Sequence, residues 1–122
     1  MMYNLDYFCQ RLKENNISTF LETSGAHPHS GNWDWICLSP KKNQAPLTDM
    51  LLRANELKVI IEKEEDFIWA EENAKKVKPN CMLYLQPEWS QADKMMSLIT
   101  DYILNHPEWR ISIQSHKYMR IP

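Results

Sequence analysis

Cys81-Met82-Leu83-Tyr84-Leu85-Gln86-Pro87-Glu88-Trp89-Ser90 is the stretch on which the fold turns. Its apolar run, Met82 to Leu85, has the character of a strand buried on both faces, and polar residues then lead to a serine able to open a helix. Proline cannot donate to a central ladder, so the strand is expected to stop by Gln86. Gln86 and Glu88 would then stand at the rim beyond its carboxyl end, where α/β sheets place their chemistry.

The same grammar recurs upstream. Asp34 to Ser39 is a predicted strand closed by Ser39-Pro40-Lys41-Lys42, again a buried run, a proline and a polar tip. As a bare turn the two lysines would be solvated; two strands that end alike favour a shared ligand rim. Ser18 to Thr23 is β-rich and delivers Glu22 to a turn. Glu56 to Ile61 alternates, so Glu56 and Lys58 share a face, either as an ion pair in a lumen or as the exposed start of the strand. Arg110 to Ser115 alternates strictly, with Arg110, Ser112, Gln114 and His116 on one face needing polar partners.

Helices are expected between these strands. Asn4 to about Glu14 carries an apolar face with Asn4 as its cap; Pro46 opens a short helix bearing Leu47, Met50, Leu51 and Ala54. Glu64-Glu65-Asp66 precedes a helix with Phe67, Ala70, Ala74 and Val77, and the lysines at its far end match the macrodipole. Ser90 with Asp93 reads as a capping-box variant for a last helix to about Asn105. Five strands joined mostly by helical crossovers imply a parallel sheet, either an open partial barrel or a doubly wound sheet.

Both glycines of the chain, Gly25 and Gly31, fall between Ser24 and Trp33, which points to an ordered loop with special backbone dihedrals. His27 and His29 in that loop lack a third ligand at a recognisable spacing and read as surface residues, so no metal site is expected. Three cysteines, Cys9, Cys37 and Cys81, follow no C-x-x-C pattern and read as small buried hydrophobes in a reducing compartment.

With 122 residues and no break in composition, positions 1–122 are expected to form one domain. A net charge of -2 gives no reason to expect nucleic acid or an anionic membrane as a partner, since either would want a basic face. No apolar run approaches the roughly 20 residues of a membrane span, and a signal peptide's basic and apolar regions are missing, so the expectation is cytoplasmic.

Several blocks then add up to a resemblance. Glu22-Thr23-Ser24-Gly25, Gly31-Asn32-Trp33-Asp34-Trp35-Ile36-Cys37-Leu38-Ser39-Pro40-Lys41, Asn55-Glu56-Leu57-Lys58-Val59, Leu83-Tyr84-Leu85-Gln86-Pro87-Glu88-Trp89, Trp109 to Tyr118 and the terminal Ile121-Pro122 resemble the 7-carboxy-7-deazaguanine synthases, radical S-adenosylmethionine enzymes of queuosine biosynthesis. The resemblance implies an α/β fold, a parallel five-stranded open partial (β/α) barrel, in a homodimeric lyase. Such an enzyme rearranges the pterin substrate 6-carboxytetrahydropterin into 7-carboxy-7-deazaguanine with S-adenosylmethionine, a 4Fe-4S iron-sulfur cluster and magnesium. By position it implies that Ser39, Pro40, Lys41, Gln86, Pro87, Glu88 and Trp89 line the cofactor site and that Glu22 is a catalytic carboxylate beside the substrate. Gln114, His116 and Pro122 would be substrate-binding.

The family's C-x-x-x-C-x-x-C cluster loop and its Gly-Gly-Glu-Pro strand end are missing from these residues. The chain therefore reads as the C-terminal portion of such an enzyme, inactive on its own because it lacks the cluster ligands. A reading from another class is a noncatalytic binding or self-association module working through the exposed edge of the Ser18 to Thr23 strand. A flavodoxin-like nucleotide binder would explain the alternation of elements but not the aromatic, polar tail.

Overall fold

The structure is a computed structural model that describes residues 20–27, 31 and 33–112. The expected helix over residues 4–14, together with Cys9 and His29, lies outside them. Strands β1 (Phe20–Thr23), β2 (Trp35–Leu38), β3 (Glu56–Ile61), β4 (Met82–Pro87) and β5 (Trp109–Ile111) alternate with helices α1 (Thr48–Arg53), α2 (Asp66–Ala74) and α3 (Ala92–Asn105). All neighbouring strands are parallel, in the order β1-β2-β3-β4-β5.

That order decides between the two expected architectures. A doubly wound sheet reverses direction partway across; here each strand is laid beside the previous one, and right-handed crossovers then bring every helix to the same face. The burial pattern agrees. Ile36, Leu38, Leu57, Val59, Ile61, Leu85 and Trp109 join Met50, Leu51, Phe67, Ala70, Met95 and Ile99 in one core cluster. The alternate positions point the other way. They form a second face, free of helices among the described residues, and it carries most of the polar strand residues.

Asn55 ties the amino ends of three strands together. Its Oδ1 accepts from Ile36 N at 2.7 Å, its N–H donates to Ile36 O at 2.9 Å, and its carbonyl accepts from Met82 N at 3.0 Å. In the loop from the end of β1 to the start of β2, Gly25 and Gly31 adopt φ of 73° and 104°, the special dihedrals expected there. Gly25 N donates to Thr23 Oγ1 at 3.1 Å and its carbonyl accepts from Leu47 N at 2.8 Å, anchoring the loop to the start of α1.

Three expectations are corrected. The fourth strand includes Pro87, which pairs with Ile61. In a parallel strand the backbone groups of alternate residues face opposite neighbours. Glu88 N bonds Ile61 O on the β3 side, so the missing N–H of Pro87 falls on the β5 side, past the last registered pair, Leu85 with Ile111. The last helix is not opened by a Ser90 cap on Asp93. Instead the Glu88 carboxylate accepts from Ser90 N at 3.0 Å and from Ser90 Oγ, a short helical turn spans Trp89–Gln91, and α3 begins at Ala92. Finally, α1 starts two residues after Pro46, at Thr48.

Candidate functional site

On the helix-free face the register sets Glu22, Cys37, Glu56 and Met82 in one row, with Lys58, Tyr84 and Arg110 in the next towards the carboxyl ends. Beyond them come Ile60 and Gln86. The face is knitted by polar bonds between strands. Lys58 Nζ forms an ion pair with Glu22 Oε1, passing over β2, and Trp35 Nε1 donates to Glu56 Oε1 at 2.7 Å. Glu56 and Lys58 are therefore half-buried on the helix-free face, Glu56 at the start of its strand, and each has a partner other than the other.

Cys37 sits beneath that span. Burial first, then the Glu56 and Glu22 carboxylates, push its thiol up to about 12 against the opposing pull of Lys58. Burial likewise raises Cys81 to about 11. Both are neutral, buried thiols at physiological pH, as the sequence implied, and unsuited to nucleophilic or metal-ligating work. Among the described residues no three His, Cys, Asp or Glu side chains converge as a metal site, and no helix is long and apolar enough to cross a membrane.

Gln86 is only 2% exposed. Ser112 Oγ donates to its Oε1 at 3.3 Å, while its Nε2 has no hydrogen-bond partner among the described residues. A buried amide without an acceptor costs about 1–3 kcal/mol, so this donor is chemically poised for an acceptor atom. Ser39 is buried and its N–H donates to Thr23 O at 2.7 Å, so the rim after β2 is fixed to the end of β1. Pro40 and Lys41 continue into the wall of a 310 Å³ cavity completed by Lys42, Ile60, Glu62 and Trp69.

The expected site residues thus fall into three groups. Ser39, Pro40 and Lys41 follow the carboxyl end of β2, and Gln86 and Pro87 close β4, whereas Glu22 stands in the row of Glu56 and Met82, the first residues of β3 and β4. Glu88 turns its carboxylate to its own helix start, and Trp89, 43% exposed, opens that turn. Gln114, His116 and Pro122 lie outside the described residues.

Sequence reasoning missed Asp66. It was assigned to the dipole of α2, but its buried carboxylate meets Lys42 Nζ at 2.5 Å and accepts from Glu62 N and Lys63 N at 2.8 and 3.1 Å. No local signal links positions 42 and 66; only the pairing of β2 beside β3 brings them together.

The described residues thus form a singly wound parallel α/β sheet of the barrel type, with an orphaned buried amide and a lysine-edged cavity towards the carboxyl ends of its strands. No family model matches the chain. It is 50% identical over 122 residues to the 7-carboxy-7-deazaguanine synthase of Flavobacterium psychrophilum, covering all of this chain and 58% of that protein. It is 47% identical over 121 residues to the protein of that name from Synechocystis, covering 99% and 58%. The crystal structure of QueE from Escherichia coli superposes with a TM-score of 0.78 at 25% identity, over 92% of this chain and 51% of that one. The chain is therefore homologous to a part of the 7-carboxy-7-deazaguanine synthases, and it spans somewhat over half the length of these relatives.

Proposed function

We propose that the chain is a single-domain, C-terminal part of a radical S-adenosylmethionine lyase that converts 6-carboxytetrahydropterin to 7-carboxy-7-deazaguanine. The observation that carries this reading is the 50% identity, along the whole chain, to a protein of that name. The buried Gln86 amide and the cavity beside Lys41, both towards the carboxyl ends of the strands, support it.

In this reading Ser39, Pro40, Lys41 and Gln86 hold S-adenosylmethionine, with Pro87, Glu88 and Trp89 shaping the adjoining wall. The orphaned Gln86 amide and the cavity beside Lys41 fit a polar nucleoside ligand. Glu22, tethered by Lys58, faces the pterin, and Gln114, His116 and Pro122 complete the substrate site on the strength of the resemblance. The iron-sulfur cluster does not fit the described residues: Cys37 and Cys81 are buried, neutral and not joined by further ligands. In this reading its cysteines, and contributors to magnesium binding, lie outside these 122 residues, and residues 1–122 by themselves are inactive. A cytoplasmic homodimer is the setting that goes with this activity.

The test is isothermal titration of the chain with S-adenosylmethionine and then with 6-carboxytetrahydropterin. A product assay follows after mixing with a polypeptide that carries the C-x-x-x-C-x-x-C loop. Saturable binding and product only in the mixture support the reading; no heat at millimolar ligand refutes the binding role.

One observation favours a second reading, a noncatalytic self-association module. β1 is an edge strand among the described residues, and its Phe20 is 57% exposed on the helix-free face. A monomer whose sedimentation is independent of concentration would dispose of it.

A further inference from the structure

Lys41 and Lys42 are neighbours on the turn after β2, yet the fold gives them different surroundings. The Lys42 ammonium lies 2.5 Å from Asp66 Oδ1 and 5.8 Å from the centre of the Trp69 ring. Lys41 is exposed and makes no ion pair among the described residues; its carbonyl accepts from Gln44 N at 3.3 Å and closes the turn.

Asp66 is the fixed point. Its side chain is 3% exposed against 42% for Lys42, and its second oxygen is held by the backbone amides of Glu62 and Lys63. Burial pushes its carboxyl up, but the hydrogen bonds from Lys42 and the two amides outweigh burial and hold it below the ordinary range. A carboxylate gripped from three directions cannot follow Lys42, so Lys42 must follow it. The turn is thereby moored to the start of α2, and the moored turn forms one wall of the 310 Å³ cavity while Ile60 and Trp69 form the other.

We propose that Lys42 and Asp66 are positioning residues for the rim: their ion pair fixes the Lys41–Gln44 turn, so that the Lys41 ammonium is the one offered to a ligand in the cavity. This rests on the reading of Pro40 and Lys41 as part of the cofactor site. It divides two adjacent lysines into a ligand-facing group and a structural one, which their sequence does not do.

The experiment measures amide hydrogen exchange on the whole chain for the wild type, Lys42→Met, Lys42→Arg and Asp66→Asn, with an S-adenosylmethionine titration of each. Lys42→Met should exchange about tenfold faster at Gln44 while Glu62 and Lys63 keep their protection, because Asp66 still holds them. Its urea midpoint at neutral pH should fall slightly, by the stability Lys42 lends the Asp66 carboxylate, and its affinity for S-adenosylmethionine should fall roughly tenfold, with Lys42→Arg restoring both. Asp66→Asn should release all three amides; should it fail to fold, Lys42→Met still decides. Wild-type exchange at Gln44 in Lys42→Met overturns the mooring. Faster exchange with undiminished affinity overturns the positioning role. A wild-type chain that binds no S-adenosylmethionine overturns the cofactor reading itself, and the exchange ratios still judge the mooring.

Discussion

Replacing Gly25 with alanine should destabilise the chain by about 2–5 kcal/mol, a sum of two costs that can be separated. At φ of 73° an L-residue sits in the left-handed region, at about 1–2 kcal/mol. The added Cβ would also lie 2.4 Å from Leu38 Cδ1, 3.1 Å from Pro46 Cβ and 3.4 Å from Met50 Cβ. Leu38 and Met50 are fully buried, so the leucine methyl can retreat only by disturbing the core, and such overpacking costs about 1–3 kcal/mol. Urea unfolding followed by tryptophan fluorescence is the assay. For a slope of about 2 kcal/mol per molar urea, the midpoint should fall by roughly 1–2.5 M. The same substitution in a Leu38→Ala background, where the methyl is gone, should cost only the backbone strain, about 1–2 kcal/mol. A loss below about 1 kcal/mol, or equal losses in the two backgrounds, would refute the reasoning, since either means the loop relaxes away from Leu38.

Three further outcomes are expected. Tyr102 OH and Trp109 Nε1 both donate to Glu71 Oε1 at 2.6 Å, so Glu71→Ala strands two donors and should cost about 2–4 kcal/mol in urea unfolding, with Glu71→Gln milder; equal effects would count against the shared acceptor. On the alkaline side, burial and then the Glu56 and Glu22 carboxylates raise Cys37 from 9.0 to about 12, so the unfolded chain loses this proton first. Stability should be complete below pH 9 and decline between 9 and about 12, less steeply in Cys37→Ala; an identical decline in the variant would remove Cys37 as a cause. On the acid side, the depressed Asp66 carboxyl contributes stability above its unfolded value that is lost as the pH falls through its folded one; Lys42→Met should flatten that loss, and an unchanged acid limb would contradict it.

The strands were legible because each is a short apolar or alternating run closed by a proline, a glycine or a polar tip; four of them lie within a residue or two of where these signals place them, while β5 spans Trp109–Ile111 among the described residues, which stop short of the expected Ser115. The end of β2 was legible for the same reason: Ser39-Pro40-Lys41 marks it by what proline forbids. Register was not. That Lys58 meets Glu22, and Glu56 meets Trp35, depends on Cys37 lying between Glu22 and Glu56 in one row, a long-range fact that no local pattern encodes. Pro87 stayed in its strand because only one side of the ladder needs its N–H, and which side cannot be known before the neighbours are. The Glu88 carboxylate looked like a rim ligand, but a capping acceptor two residues before Ser90 competes for the same group. Lys42 and Asp66, each plausible as an ordinary solvated or dipole-matching charge, acquire their role only from the packing of two loops.

The sequential strand order has a consequence for how such a sheet can be made. Because no strand is inserted between two that are already paired, each strand and its helix join a finished edge, and the next one needs no threading or reopening. A sheet of this kind behaves like a fence erected post by post. It can be divided between two posts, its sections made separately, and the sections set side by side with the same backbone hydrogen bonds that hold every other junction.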